Sequence, residues 1–256
     1  MTAARSRLLT IAHRGLVSGF PENTLAAFRQ CAAVGVDGVE FDLRTTADGE
    51  IVVLHDETVD RTTDGGGAIR GMSWAAARRL DAGRHAGERF RDQTIPRLDE
   101  VLALLAGTSM LLVLDLKAGA GLDIRRITAA VDRAGVASTT VIGANTIDEL
   151  RTIGALGSKI RRLGFVPAPA LIDDYIDAGA DIIRLMAEWI IDDDGRPTPE
   201  AAAWVRRCRD RDTPIWCVIH DVGGETLDLL SDLGIAGIIT DRADDAGHRG
   251  DCRHCR

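Results

Sequence analysis

The feature that most limits what this chain can fold into is a series of short apolar runs separated by stretches with helical spacing. LLTIA (8–12), GVEFDL (38–43), MLLVLDL (110–116), TTVIGA (139–144), IRRLGFV (160–166), ADIIRLM (180–186), PIWCVI (214–219) and AGIIT (236–240) read as strands. Runs this continuously apolar suit parallel strands covered on both faces. Between them lie patterns such as TLAAFRQCAAVG and PEAAAWVRRCRDRD, with capping residues in front. Alternating β and α units imply a parallel sheet.

A ninth run, EIVVLH (50–55), follows Arg44 after only TTADG, which is too short for a parallel crossover. Asp48 and Gly49 form a hairpin turn signal. A two-residue loop there sets His55 opposite Asp42 and Arg44 opposite Val53, as an antiparallel extension of the second strand. Eight parallel strands remain, which favours a closed (β/α)₈ TIM barrel over an open sheet. A dinucleotide fold is disfavoured because no G-x-G-x-x-G follows the first strand. The 256 residues then form one barrel domain (1–256) with a β-hairpin and loop-rich insertion after strand 2, about 45–95, and a polar, flexible tail from about 243 to 256.

A net charge of −8 with only two lysines, Lys117 and Lys159, argues against a nucleic-acid partner or a lysine-rich membrane patch. No apolar run approaches the roughly 18 residues of a transmembrane helix. The first residues lack the apolar stretch of a secretion signal, and five scattered cysteines suit free thiols, so a cytoplasmic location is expected.

Barrel enzymes carry reactive groups at the C-terminal ends of their strands. Those ends hold His13 and Arg14, then Glu40 and Asp42, with His55 brought in by the hairpin, then Asp115 and Lys117. Residues two apart in a strand share a face, so Glu40 joins Asp42 and Asp115 joins Lys117. Two or three hard oxygen ligands suit one divalent ion, Mg²⁺ or Ca²⁺. Arg14 and Lys117 can clamp phosphate oxygens, and two histidines offer an acid and a base. Together these meet the needs of phosphodiester cleavage.

The ordered set HRG (13–15), PENT (21–24), E-x-D (40–42), T-x-D-G with VVLHD (46–56), DRTTDGGG (60–67), IPRLDEVL (95–102), D-x-K (115–117) and GIITD (237–241) resembles the glycerophosphodiester phosphodiesterase family over nearly the whole chain. The resemblance implies a metal held by Glu40, Asp42 and Asp115, His13 and His55 as the acid/base pair, and Arg14 and Lys117 on the phosphate. Glu22 and Asn23 would organise the loop after strand one. It also implies a small glycerophosphodiester substrate, cut to sn-glycerol 3-phosphate and an alcohol, and here His55 is taken as the acid. Two departures stand out. Asp115 replaces the family's usual glutamate, and Ile219 follows Trp216-Cys217-Val218 where the family carries W-T-V-N, which points to an altered pocket beside the substrate's alcohol.

Trp216 is read as a substrate-binding candidate, with a place in the core equally open. Arg184 either reads an acidic part of the substrate or pairs with Glu188. The tail cluster of His248, Cys252, His254 and Cys255 lacks a second ligand pair at zinc-finger spacing and is read as frayed chain. His85 and His220 carry no strong claim. Two rival functions remain, a sphingomyelinase D-like lyase forming a cyclic phosphate and a non-catalytic barrel that binds phosphate esters.

Overall fold

A computed structural model describes residues 7–221 and 223–244. Nine strands carry the architecture: β1 (Leu9–Ala12), β2 (Gly38–Thr45), β3 (Ile51–Val53), β4 (Leu111–Leu116), β5 (Thr140–Ala144), β6 (Arg161–Phe165), β7 (Ile182–Met186), β8 (Ile215–Val218) and β9 (Gly237–Thr240). All but β3 pair in parallel, and the ring closes because β1 bonds to both β2 and β9. The expected eight-stranded parallel barrel is therefore present. Its wall of helices comprises α1 (Leu25–Val34), then α3 (Leu98–Leu105), α4 (Ile124–Arg133), α5 (Ile147–Ala155), α6 (Ile172–Asp177), α8 (Ala201–Asp210) and α9 (Gly224–Leu233). Two short helices, α2 (Trp74–Ala77) and α7 (Ala187–Ile190), lie in connections. Among the described residues no helix is long and apolar enough to cross a membrane.

Alternation along each strand divides the core in two. Outward residues such as Val39, Phe41, Leu43, Leu112 and Leu114 pack under the helices. Inward residues Ile11, Val113, Val141, Leu163, Ile182, Trp216 and Ile239 fill the barrel interior. Gly38 is glycine because a Cβ there would stand 2.7 Å from the Leu111 carbonyl oxygen on β4.

β3 pairs antiparallel with β2, as the Asp48-Gly49 signal predicts, but one residue out of the expected register. Arg44 faces Val52, and Leu54 N–H donates to the Asp42 carbonyl, so Leu54 and not His55 stands opposite Asp42. The loop has three residues, 47–49, and Gly49 takes the left-handed conformation (φ 82°) that such a loop requires. Thr46 holds it: its hydroxyl donates to Asp48 Oδ1 and accepts from Glu50 N–H. The insertion beyond β3 is a compact excursion with its own core of Val52, Leu54, Val59, Ile69, Ala77 and Ile95.

Candidate active site

Strand parity decides which side chains meet. Glu40 and Asp42 on β2, and Asp115 on β4, lie on the inward face among buried residues, and the strand pairing sets Asp42 level with Asp115. Their carboxylate oxygens all lie within 4.8 Å of one another. Lys117 Nζ donates to Asp115 Oδ2 (2.7 Å) and makes an ion pair with Asp42 Oδ1 (2.8 Å).

The first turn after β1 is strained, and the strain has structural consequences. Arg14 adopts a left-handed backbone (φ 55°), as does Asn23 (φ 55°), a conformation costly for residues other than glycine. That turn points the Arg14 N–H at Glu40 Oε2 (3.0 Å), and the Asn23 N–H returns to the Arg14 carbonyl (2.9 Å). Asn23 Nδ2 donates to Asp42 Oδ2 (2.7 Å), while Thr24 caps α1. Glu22 accepts both guanidinium arms of Arg61 and contacts Arg14 Nη1. The 21–24 segment therefore ties the loop after β1 together and also braces the Asp42 carboxylate.

His13 and His55 each hold Nδ1 against a carboxylate. His13 Nδ1 lies 2.6 Å from Asp241 Oδ1, and its Nε2 stands 4.0 Å from Glu40. His55 Nδ1 lies 2.6 Å from Asp56 Oδ1, and Arg61 clamps Asp56 through Nε (2.6 Å). A histidine whose Nδ1 is held in this way presents Nε2 for proton transfer.

Burial pushes the Glu40 carboxyl well above the ordinary carboxylate range, and the nearby Asp42 and Asp115 raise it further. Asp42 feels the same burial, but Lys117, Asn23 and Arg14 outweigh it and hold that carboxyl low. Burial also pulls Lys117 down, yet Asp115 and Asp42 more than compensate and its pKa rises. Burial holds His55 below the usual histidine value despite the hydrogen bond to Asp56. A cluster of three buried carboxylates with one forced towards its neutral form is short of positive charge. A hard divalent cation would relieve it, and three oxygen donors at this spacing fit Mg²⁺ or Ca²⁺.

These groups border a cavity of about 170 Å³. His13, Arg14, Glu40, His55, Asp115 and Lys117 form one wall, and Phe165, Met186, Val218 and Ile239 form an apolar wall opposite. Arg184 and His220 also open onto it. Parity on β7, β8 and β9 puts Arg184, His220 and Asp241 on the inward face, a signal that counting alternate residues from the strand centres would have found. Of the two readings of Arg184, the pair with Glu188 is not formed. Arg184 lies over the Phe165 ring instead, 3.7 Å from its centroid. His220 shares Asp241 with His13, the two rings 5.1 Å apart.

Two expectations require correction. Trp216 faces inward but sits one layer below the cavity, 1% exposed and packed against Gly237, so the bordering residue is Val218, one inward step further along β8. Ile219 faces outward and packs under the helices, so its departure from the family pattern does not alter the cavity wall. The tail cluster of His248, Cys252, His254 and Cys255 lies outside the described residues.

Fold and site together define an α/β barrel with an acidic, histidine-flanked centre at the C-terminal ends of its strands. Residues 13–154 match the glycerophosphoryl diester phosphodiesterase family, and the chain belongs to that family. It is 44% identical over 113 residues to a glycerophosphodiester phosphodiesterase of Caldanaerobacter subterraneus subsp. tengcongensis, covering 44% of this chain and 46% of that protein. It is 43% identical over 115 residues to human glycerophosphodiester phosphodiesterase 1, covering 44% and 35%. The chain thus spans less than half the length of these curated relatives. A solved glycerophosphodiester phosphodiesterase from Agrobacterium tumefaciens superposes with a TM-score of 0.78 at 26% identity, over 93% of this chain and 98% of that one. An Oleispira antarctica phosphodiesterase, solved with its product sn-glycerol-3-phosphate, shares the fold with a TM-score of 0.80 at 24% identity, over 93% and 95%.

Proposed function

We propose that this protein hydrolyses a small phosphodiester, a glycerophosphodiester, to sn-glycerol 3-phosphate and an alcohol. One divalent ion, Mg²⁺ or Ca²⁺, is held by Glu40, Asp42 and Asp115. The observation that carries this reading is the meeting of three buried carboxylates with two carboxylate-oriented histidines around one small cavity. The product complex of the Oleispira relative supports the choice of substrate class.

When bound, the ion supplies charge neutralisation for the phosphoryl oxygens. His55 Nε2 removes a proton from the attacking water as its oxygen bonds to phosphorus in line with the leaving oxygen. The bond from phosphorus to that oxygen breaks, and His13 Nε2 delivers the proton that completes the alcohol. This reverses the split expected from sequence, because the lowered pKa of His55 favours the neutral, proton-accepting imidazole. His13 Nδ1 lies against Asp241, which leaves its Nε2 turned towards Glu40. Arg14 and Lys117 hold the carboxylates in place and offer their remaining N–H groups to the phosphate. Cytoplasmic residence and a single barrel domain belong to the same proposal.

A product-resolved assay on glycerophosphodiesters tests it. Turnover is expected to cease after chelation and to return with Mg²⁺, Ca²⁺ or Mn²⁺, giving a phosphomonoester. Full activity after verified metal removal would sink the metal-dependent reading, and accumulation of a cyclic phosphate would support the lyase instead.

A further inference from the structure

Of the arginine and lysine side chains that line the cavity, Arg14 and Lys117 each stand within 4.0 Å of a carboxylate and Arg184 does not. The three carboxylates Glu40, Asp42 and Asp115 would balance a divalent ion together with Lys117. Arg14 and Arg61 balance Glu22 and Asp56 through direct contacts. Asp241 lies against both His13 and His220. Arg184 is left over. Among the described residues no carboxylate lies within 4.0 Å of it, and its Nε is buried without a hydrogen-bond partner. Burial lowers its pKa, and the carboxylates that oppose this from a distance are Asp115 and Glu40, the groups assigned to the ion. A buried cation without a partner is costly unless a ligand completes it.

The position of Arg184 is also built. Its guanidinium stacks on Phe165, and Phe165 can lie there only because β5 carries Gly143. A Cβ at 143 would come within 2.2 Å of the Phe165 ring. Gly143, Phe165 and Arg184 thus form a stack that fixes a planar, forked donor in the cavity, opposite Glu40 and Asp115.

We propose that Arg184 is a substrate-binding residue, whose guanidinium donates to a non-bridging oxygen of the phosphoryl group. It supplies counter-charge for the single negative charge of a phosphodiester, beside the N–H groups that Arg14 and Lys117 offer while their own charges are paired with carboxylates. The proposal rests on the function proposed above for the reaction, but its anion-binding part can be measured without turnover.

The test measures inorganic phosphate binding to the Mg²⁺-loaded protein by calorimetry, and KM and kcat for a glycerophosphodiester, in wild type, Arg184→Gln, Arg184→Lys and Phe165→Leu. Arg184→Gln should weaken phosphate binding about 10- to 100-fold, the range of a charge-assisted hydrogen bond, and raise KM in parallel. Arg184→Lys should fall between it and wild type, since lysine keeps the charge without the fork. Phe165→Leu should weaken binding in the same direction by removing the platform. Mg²⁺ affinity should hold or increase in Arg184→Gln, because a nearby positive charge is gone. Wild-type phosphate affinity in Arg184→Gln, lost Mg²⁺ binding in that variant, or no phosphate binding by the wild type each overturns the proposal. A wild type that turns over diester with a KM unchanged in Arg184→Gln rejects this inference alone. Arg184-dependent phosphate binding without hydrolysis upholds it and rejects the hydrolase.

Discussion

Glu40 carries the largest electrostatic penalty in the site. Its folded pKa lies above its unfolded value, so native stability falls as the pH rises through the unfolded value and the full cost is present above the folded one, a cost that metal-free protein bears. Glu40→Gln removes the charge and keeps an oxygen for the Arg14 N–H. In chelator the variant should melt higher than wild type, whereas added Ca²⁺ should raise the wild-type Tm far more than that of the variant. Paired thermal melts with and without Ca²⁺ check this, and a lower metal-free Tm with an undiminished Ca²⁺ shift would contradict it. Asp115 is the second informative residue, because Lys117 already accounts for one of its oxygens. Asp115→Glu should still bind metal, and Asp115→Asn should lose most affinity, since coordination distances tolerate only about ±0.2 Å and a neutral amide is a poor substitute. Should titration show Asn binding as tightly as wild type, Asp115 orients Lys117 and is no ligand.

At the scale of elements, His55 belongs to no barrel strand. The β2–β3 hairpin carries it, and a clasp of Glu22, Arg61 and Asp56 ties that hairpin to the loop after β1. Arg61 holds the carboxyls of both Glu22 and Asp56 below their ordinary range against the effect of burial. Depressed carboxylate pKa values contribute stability above the unfolded values, and that contribution fades as the pH falls through the folded ones. Arg61→Leu should therefore cost about 1 kcal/mol at pH 7, in keeping with a partly exposed pair, and progressively less below about pH 4. Urea unfolding of both proteins at pH 7 and pH 3 makes the comparison. An equal difference at both would mean that Arg61 acts through packing alone.

For the whole molecule, Cys31 on α1, Cys208 on α8 and Cys217 on β8 sample three parts of the barrel, and all are buried. Burial pushes their thiols up to about 12, 11 and 12. Thiolates are the reactive species, so these cysteines should resist labelling in the native state. In a Cys252→Ser/Cys255→Ser background, disulfide-exchange labelling should follow global unfolding, with one common rate for all three sites. Rapid labelling of any one under native conditions would reveal local opening of its element.

The barrel was legible because its signal is local and repeated. Apolar runs of strand length, helical spacing between them and a hairpin too short for a crossover follow from side-chain period and chain reach, and need no partner strand to be seen. The same alternation put Glu40 with Asp42 and Asp115 with Lys117. It did not reveal depth. Trp216 and Val218 share an inward face, and only the stacking of layers inside the closed barrel puts one in the core and the other at the cavity. Nor could it find the His13–Asp241 contact, which spans 228 residues and exists because β9 closes against β1. The hairpin register slipped by one for a related reason: a two- or three-residue loop fits the same letters, and the Thr46 hydrogen bonds select the longer one. Residue chemistry and period are properties of the chain read along its length. The depth of a side chain, the partner of a charge and the isolation of Arg184 depend on which distant strands close beside one another, and only the folded barrel decides that.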